Sequence, residues 1–547
     1  ETYRFNWNSP ILISPHDPKT VYFGGNKLFK SSNRGEIWEV SIDLTTQQDR
    51  EKLPIMGILT DENTLSRNDG ITFYGDITTI SESPLKKGLL YVGIDDGNLQ
   101  VSRDGGETWK NVINRIPEVP KYTYVSRVIA SRFDEGRAYV TFDGHRNDDF
   151  KPYVFVTVDY GESWRSIAGN LPEGGTLNVI REHHRNPNLL FVGTERGAYV
   201  SINRGRRWVR MKGNLPIVPV DDIAIHPREN DLIFGTHGRS IWILDDITPL
   251  ECLSNNVLAS RSYLFKVRAA TLFIPYDHKG TIGHRAFVAP NPPLGAMIHY
   301  YLKNGTKESV KIIIKDEEGK KIRELKGPKE AGINRITWNL RYDPPPQTVG
   351  GEFGRHFRTR APKVLPGEYK VTMEVLGQEM TETVKVLGDP RLNISLEDRK
   401  AQHDVLFTLY KLYPVLYSTV ETLNSIEIQI ADIEKALKKV SDVPELVFDE
   451  VKAISKKIGD IRLELLGNPK LGWPGVSGSV RGKLVLLGRA IEGYTAPLSK
   501  RQVQQIQKNS EKLENLAKRL NKIVKKDIPE LNKLMIEKNI TFQMPGD

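Results

Sequence analysis

One eight-residue pattern recurs four times in the first half of the chain and constrains its fold more than any other feature. The copies are Ser31-Ser-Asn33-Arg-Gly35-Glu-Ile-Trp38, Ser102-Arg-Asp104-Gly-Gly106-Glu-Thr-Trp109, Thr157-Val-Asp159-Tyr-Gly161-Glu-Ser-Trp164 and Ser201-Ile-Asn203-Arg-Gly205-Arg-Arg-Trp208. Each pairs a hydroxyl with an Asp or Asn whose side chain can hydrogen-bond the backbone of a tight turn. The Gly supplies a backbone conformation that other residues adopt only at a cost. The Trp is expected to close the turn by packing under the next strand, leaving its indole N–H to find an acceptor.

Short apolar runs precede each copy in the same order. Asp76-Ile-Thr-Thr-Ile80, Leu89-Leu-Tyr-Val-Gly93 and Asn98-Leu-Gln-Val101 lead into the second copy. Leu177-Asn-Val-Ile180, Leu189-Leu-Phe-Val-Gly193 and Ala198-Tyr-Val200 lead into the fourth. Runs this short, bounded by turn residues, are buried strands. Four-stranded blades of a β-propeller repeat every ~40–50 residues, so the longer interval between residues 31 and 102 must hold an insertion. A fifth unit, Asp222-Ile-Ala-Ile225, Leu232-Ile-Phe-Gly235 and Ser240-Ile-Trp-Ile-Leu244, ends at Asp245-Asp246 without the turn. Residues 1–250 thus read as five blades. We expect an incomplete propeller whose remaining blades come from an N-terminal polypeptide outside this sequence; the competing reading is a closed five-bladed ring.

The other segments differ in pattern. Residues 251–290 read as a connector with one strand-like stretch, Tyr263-Leu-Phe-Lys-Val267, and a polar loop holding His278 and His284. Alternation in Ala296–Leu302, Val310–Lys315, Arg335–Leu340, Gly367–Val375 and Thr381–Val386 makes 291–390 an immunoglobulin-like β-sandwich, with a long loop from Asp343 to Pro366. Residues 391–547 form a helical domain, a bundle with 3.6-residue periodicity over Leu396–Leu416, Ser418–Val440, Pro444–Leu466 and Lys500–Val524. Its lysines read as a solvated face.

Several function classes fall away. No apolar run is long enough to span a bilayer, and Glu1-Thr-Tyr-Arg-Phe5 has no signal-peptide character, as expected of a mature product or an internal fragment. A single cysteine, Cys252, excludes an intrachain disulfide and a cysteine zinc cluster. A net charge of +10 over 547 residues is a mild bias that does not establish nucleic-acid binding. Neither a P-loop, a dinucleotide fingerprint nor a Gly-x-Ser-x-Gly elbow is present. At a strand end the rings of His183 and His184 should point to opposite sides, which argues against a shared metal. No cofactor is expected; Asp-rich turns are of a kind that holds Ca²⁺, with no loop singled out.

The repeated turn and the stretch Gly235-Thr-His-Gly-Arg-Ser-Ile-Trp-Ile-Leu-Asp-Asp246 resemble the bacterial sortilin-like family of Asp-box (BNR repeat) propeller proteins, often labelled glycosyl hydrolases. Phe5-Asn-Trp-Asn-Ser-Pro10, Asp143-Gly-His-Arg-Asn-Asp-Asp149 and Val220-Asp-Asp-Ile-Ala-Ile-His-Pro227 share the resemblance. It extends less specifically to Gly332-Ile-Asn-Arg-Ile-Thr-Trp338 and Asp527-Ile-Pro-Glu-Leu-Asn532. It implies an exported protein (secreted, periplasmic or at the cell surface) of roughly twice this length, with further blades N-terminal to residue 1. It brings no established reaction. The cysteine-rich module of animal sortilins has no counterpart here.

Blade geometry points to one rim. The repeated turn joins the third and fourth strands, so loops joining the second and third strands gather on the opposite face. There lie the ligand candidates Asp95, Asp96, His145, Arg146, Glu195, Arg196, His237 and Arg239. The insertion between Leu44 and Gly75 reaches the same face with Arg67, Asn68 and Asp69. Adjacent glycines make turn formation the simpler reason for most of these residues. Hydrolysis by paired carboxylates needs two acids ~5–9.5 Å apart; Asp143, Asp148 and Asp149 form the local acid cluster that could supply one. Two readings follow: a module that binds a glycan, peptide or protein partner, and a glycoside hydrolase working at the rim.

Overall fold

The computed structural model describes residues 2–59, 61, 63–64, 73–275, 283, 285, 287–345 and 358–540. His278, His284, Arg67, Asn68 and Asp69 lie outside the described residues. The chain divides into two compact units, Glu1–Ala259 and Ser260–Asp547.

The first unit is a row of five antiparallel meanders. Four have four strands in sequence order: Ile11–Ile13 to Glu39–Asp43, Ile77–Glu82 to Lys110–Asn111, Tyr124–Ala130 to Arg165–Ser166, and Leu177–Glu182 to Val209–Arg210. The fifth has three: Val220–Ile225, Leu232–Thr236 and Ile241–Leu244. The first strands of consecutive sheets lie side by side, as they do in propeller blades.

The joints between blades repeat. In blades two to five the first strand carries a register shift that leaves one residue unpaired, at Thr78, Ser126, Asn178 and Asp221. Three of these side chains donate across to the next blade: Thr78 Oγ1 to the Val125 carbonyl (2.7 Å), Ser126 Oγ to Leu177 (2.6 Å) and Asn178 Nδ2 to Val220 (3.3 Å). Asp221, at the same place in the fifth blade, instead lies 3.3 Å from His237 Nδ1.

All four repeated turns fold alike. The Ser or Thr hydroxyl donates to the Asp or Asn two residues on and accepts the Gly N–H. The Asp or Asn oxygen accepts the N–H four residues beyond it. In the second turn these bonds are 2.8, 2.9 and 2.9 Å; the others match within 0.1 Å. Each Gly has φ between 80° and 97°, which is why that position is glycine.

The tryptophans pack differently from the sequence expectation. They reach back to the preceding blade, onto residues that follow its fourth strand. Trp164 joins the core holding Val112 and Ile116, Trp208 the core holding Ile167 and Leu171, and Trp109 packs on the core that includes Leu44. Trp208 Nε1 also donates to the Ile167 carbonyl at 2.8 Å. A blade's Trp therefore needs a blade before it.

In the second unit, a three-stranded sheet (Ser262–Leu264, Ala296–Leu302, Gly332–Trp338) and a five-stranded sheet share one core of residues such as Ile298, Tyr300, Ile312, Trp338 and Val371. The five-stranded sheet runs Ala270–Leu272, Gln378–Gly388, Gly367–Val375, Val310–Lys315 and Lys321–Gly327. Each sheet thus recruits one strand from the segment read as a connector. Five helices follow: Leu396–Leu437, Glu445–Leu466, Val480–Glu492, Lys500–Lys522 and Ile528–Glu537, with a shorter turn of helix, Gly472–Ser477, before the third. The two runs read on either side of Tyr417 are one 42-residue helix with Pro414 inside it. Leu409, Leu416, Leu423 and Ile430 of that helix are buried in the bundle core. Each such side chain contributes about 1.5–3 kcal/mol of burial, enough to offset a proline's ~3 kcal/mol penalty.

Candidate functional site

The rim is built where first strands begin and second strands end. In the second blade Asp95 and Asp96 lie inside it and hold the returning insertion. Asp95 Oδ1 accepts the Gly75 and Asp76 N–H groups at 3.0 and 2.8 Å. Asp96 accepts the Thr46 N–H and hydroxyl at 2.5 and 2.8 Å and the Asn98 N–H at 3.0 Å. Asp95 is 4% exposed and Asp96 buried, so neither reaches a ligand in this conformation.

Beside them is Asp76, which the sequence reading passed over as a strand start. It is fully buried, and neither carboxylate oxygen has a hydrogen-bond partner. Burial pushes Asp76 up to about 6, with Arg4 opposing, and Asp95 up to about 7. Tyr124 is also part of this row. Its hydroxyl is pushed up to about 12 by burial and then by Asp95 and Asp143. The residue entering the first strand of blades two, three and four was the available signal: Asp76, Thr123 and Thr176 are all polar, and all are buried.

In the third blade Asp143 and His145 form a pair. Asp143 Oδ2 is 2.6 Å from His145 Nδ1, and Asp143 Oδ1 accepts the His145 N–H at 3.0 Å. Burial alone would raise Asp143, but the His145 contacts overcome it and the net shift is downward. Asp143 in turn raises His145, and Glu195 of the fourth blade adds to that. The structure thus brings Asp143 and His145 into direct contact. Arg146 beside them is half-buried and opposes the His145 shift. Asp148 is exposed, with left-handed φ of 56°, and ends the short turn His145–Asn147. Asp149 accepts the Tyr153 hydroxyl at 2.7 Å and the Lys151 N–H at 3.2 Å.

Arg196 lines a cleft of 360 Å³ with Pro152, Leu171, Tyr199, Arg210 and Ile217. His237 and Arg239 stand exposed on the fifth blade. His237 Nδ1 is 3.3 Å from Asp221, and the Arg239 carbonyl accepts the Trp242 indole N–H. The insertion crosses to the third blade, where Met56 N–H donates to Asn147 Oδ1 at 3.4 Å. It carries a two-stranded hairpin, Pro54–Ile55 with Ile58–Leu59, whose Met56, Ile58 and Leu59 are exposed.

His183 and His184 depart from expectation: their rings stack at 4.5 Å. They lie beyond the strand end at Glu182, where alternation no longer applies. His183 Nε2 faces Asn230 Oδ1 at 2.9 Å. Among the described residues no group of three or more His, Cys, Asp or Glu is placed to hold a metal ion. No helix among them is long and apolar enough to cross a membrane.

No protein-family model matches the chain. A stretch of 160 residues, 29% of the chain, is 29% identical to the oligoxyloglucan-reducing end-specific xyloglucanase of Emericella nidulans and covers 17% of it. Over 175 residues, 30% of the chain, identity is 26% to vacuolar protein sorting/targeting protein 10 of Arthroderma benhamiae, covering 11% of that protein. The chain therefore spans less than a fifth of either relative. The GH74 xyloglucanase from Xanthomonas campestris overlaps 58% of the chain and 50% of its own, at 14% identity and a TM-score of 0.31.

Proposed function

We propose that this protein is an exported Asp-box propeller module that binds rather than hydrolyses, and that its ring is completed by blades on another polypeptide segment. The observation that carries the completed ring is the state of the two end blades, and the burial of Asp76 and Asp95 favours binding over hydrolysis. On the first, Ile11, Ile13, Val40 and Ile42 are exposed, and Trp38 has no preceding blade to pack on. On the fifth, Ile241, Ile243 and Leu244 form an exposed edge strand with no fourth strand beside it. Unpaired apolar edges of this kind invite strand addition. A second copy of this chain does not fit. Trp38 needs an apolar residue that follows a fourth strand, as Val112 and Ile167 do, and the fifth blade has none. The occupant therefore supplies a blade of the same repeat before the first blade and a fourth strand to the fifth. The sandwich, read as immunoglobulin-like, and the helices would then serve assembly.

Peptide mapping of the native assembly, with its intact mass, tests this reading. We expect a second segment rich in the repeated turn. A lone 62 kDa chain that is stable in its native source would overturn it.

The rim supports a second reading, glycoside hydrolysis, through the contrast between a raised Asp95 and a lowered Asp143. Opposed shifts are how acid and base roles are divided between carboxyls. Similarity to a xyloglucanase favours this reading; the burial of Asp95 and Asp76 disfavours it. Release of reducing ends from xyloglucan oligosaccharides by the native assembly, lost in Asp143→Asn, would establish it, and no release by the native assembly would end it.

A further inference from the structure

Beyond the propeller, the second unit gathers cations around a cleft of 540 Å³. Arg341 and Lys363 face each other across an isolated antiparallel β-bridge. Directly opposed residues share a face of the sheet, and like charges there repel. Arg360 also lines the cleft and is exposed. From the other side comes the last turn of the helix Val480–Glu492, which brings Arg489 and Glu492, three apart and so on one face.

Four cations therefore line this cleft with one carboxylate among the described residues. Glu492 Oε1 is 2.5 Å from Arg341 Nη1, without the alignment of a hydrogen bond. Nearby Asp389 is already taken by Arg391 at 2.6 Å. Backbone carbonyls absorb part of the excess: Arg341 donates to Ala361, Lys363 to Phe273 and Arg489 to Arg358. Arg489 Nε is nonetheless buried with no acceptor. Leu272, Phe273, Ile274 and Leu294 supply an apolar wall. A cationic, half-dry cleft with an unfilled donor and an apolar wall is complementary to an anion on an apolar body.

We propose that this cleft binds an oxyanion, carboxylate or phosphate, carried on an apolar group, with Arg341, Lys363 and Arg489 holding the head and the Leu272–Ile274 wall the body. Calorimetric titration of the full chain with inorganic phosphate, phenyl phosphate and benzoate at fixed ionic strength tests it. Phenyl phosphate or benzoate should bind saturably, roughly tenfold tighter than inorganic phosphate, and the tighter of the two assigns the head group. Arg489→Gln and Lys363→Met should each weaken binding by about tenfold. Without ligand, Lys363→Met should raise Tm, because it removes the repulsion with Arg341; a misfolded variant would lower it. The proposal is overturned if none of the three anions saturates, or if both variants bind as the wild type does.

Discussion

Trp208 and Trp38 hold the same place in the same eight-residue turn, yet Trp208 is 2% exposed and Trp38 39%. The turn's hydrogen bonds match within 0.1 Å. The difference lies in the neighbour: Ile167 and Leu171 of the third blade cover Trp208, and among the described residues no blade stands before the one that holds Trp38. A blade's hairpins are therefore specified locally, whereas its core is shared with adjoining blades. This is how a quasi-one-dimensional repeat behaves, with interface terms adding to each unit's own stability.

Truncating the two tryptophans would sharpen this contrast most. Trp208→Ala should destabilise the first unit by about 3–5 kcal/mol in urea unfolding, and Trp38→Ala by about 1 kcal/mol or less. Equal losses would mean that the first blade's face is covered within the isolated chain.

The next largest effect concerns pH. Asp95 is protonated in the fold at pH values where the unfolded chain has lost that proton. Its contribution is complete below about pH 4 and is lost as pH rises through about 7. Asp143, shifted downward, has the opposite sign: its contribution is present at neutral pH and lost on acidification. Asp95→Asn keeps an oxygen for the Gly75 and Asp76 N–H groups. It should remove ~2–4 kcal/mol of the fall in stability between pH 5 and pH 8. An unchanged pH profile would show that Asp95 is ionised in place.

Smaller effects should appear at the joints. Ser126→Ala removes a bond to the fourth blade and should cost about 1–2 kcal/mol. Asp221→Ala, at the equivalent position of the last blade, should cost less than about 0.5 kcal/mol, read by the same unfolding assay. Smallest of all in stability, within about 0.5 kcal/mol, should be Ile243→Lys on the open edge strand. Its effect should fall instead on recovery of the native assembly by affinity purification.

Legibility in the sequence followed the same division between local and shared. The four turns, with their strands, could be read because hydroxyl, Asp or Asn, Gly and Trp each meet a local requirement. That Trp164 and Trp208 pack backwards could not, because it depends on a neighbouring blade some 40–50 residues away. The continuity of Leu396–Leu437 through Pro414 depends on burial by other helices. The strands Ser262–Leu264 and Ala270–Leu272 are too short to show a period, and only their pairing with distant strands makes them sheet. At the rim, Asp95 and Asp96 looked like surface acids because Asp next to Gly97 suits an exposed turn; the insertion that covers them has no periodicity to reveal its path. Asp143 and His145 were legible because both lie in one short loop, whereas Tyr124 and Asp76 join them only through the stacking of blades.

Hydrogen exchange at the strand Ile241–Leu244 and around Trp38, compared between the isolated chain and the native assembly, tests the open-ended propeller most directly. Outward-facing amides of that strand should exchange rapidly in the isolated chain and be protected in the assembly, together with the segment around Trp38. Equal exchange at both ends in the two samples would show that nothing completes the ring, and the account would be wrong.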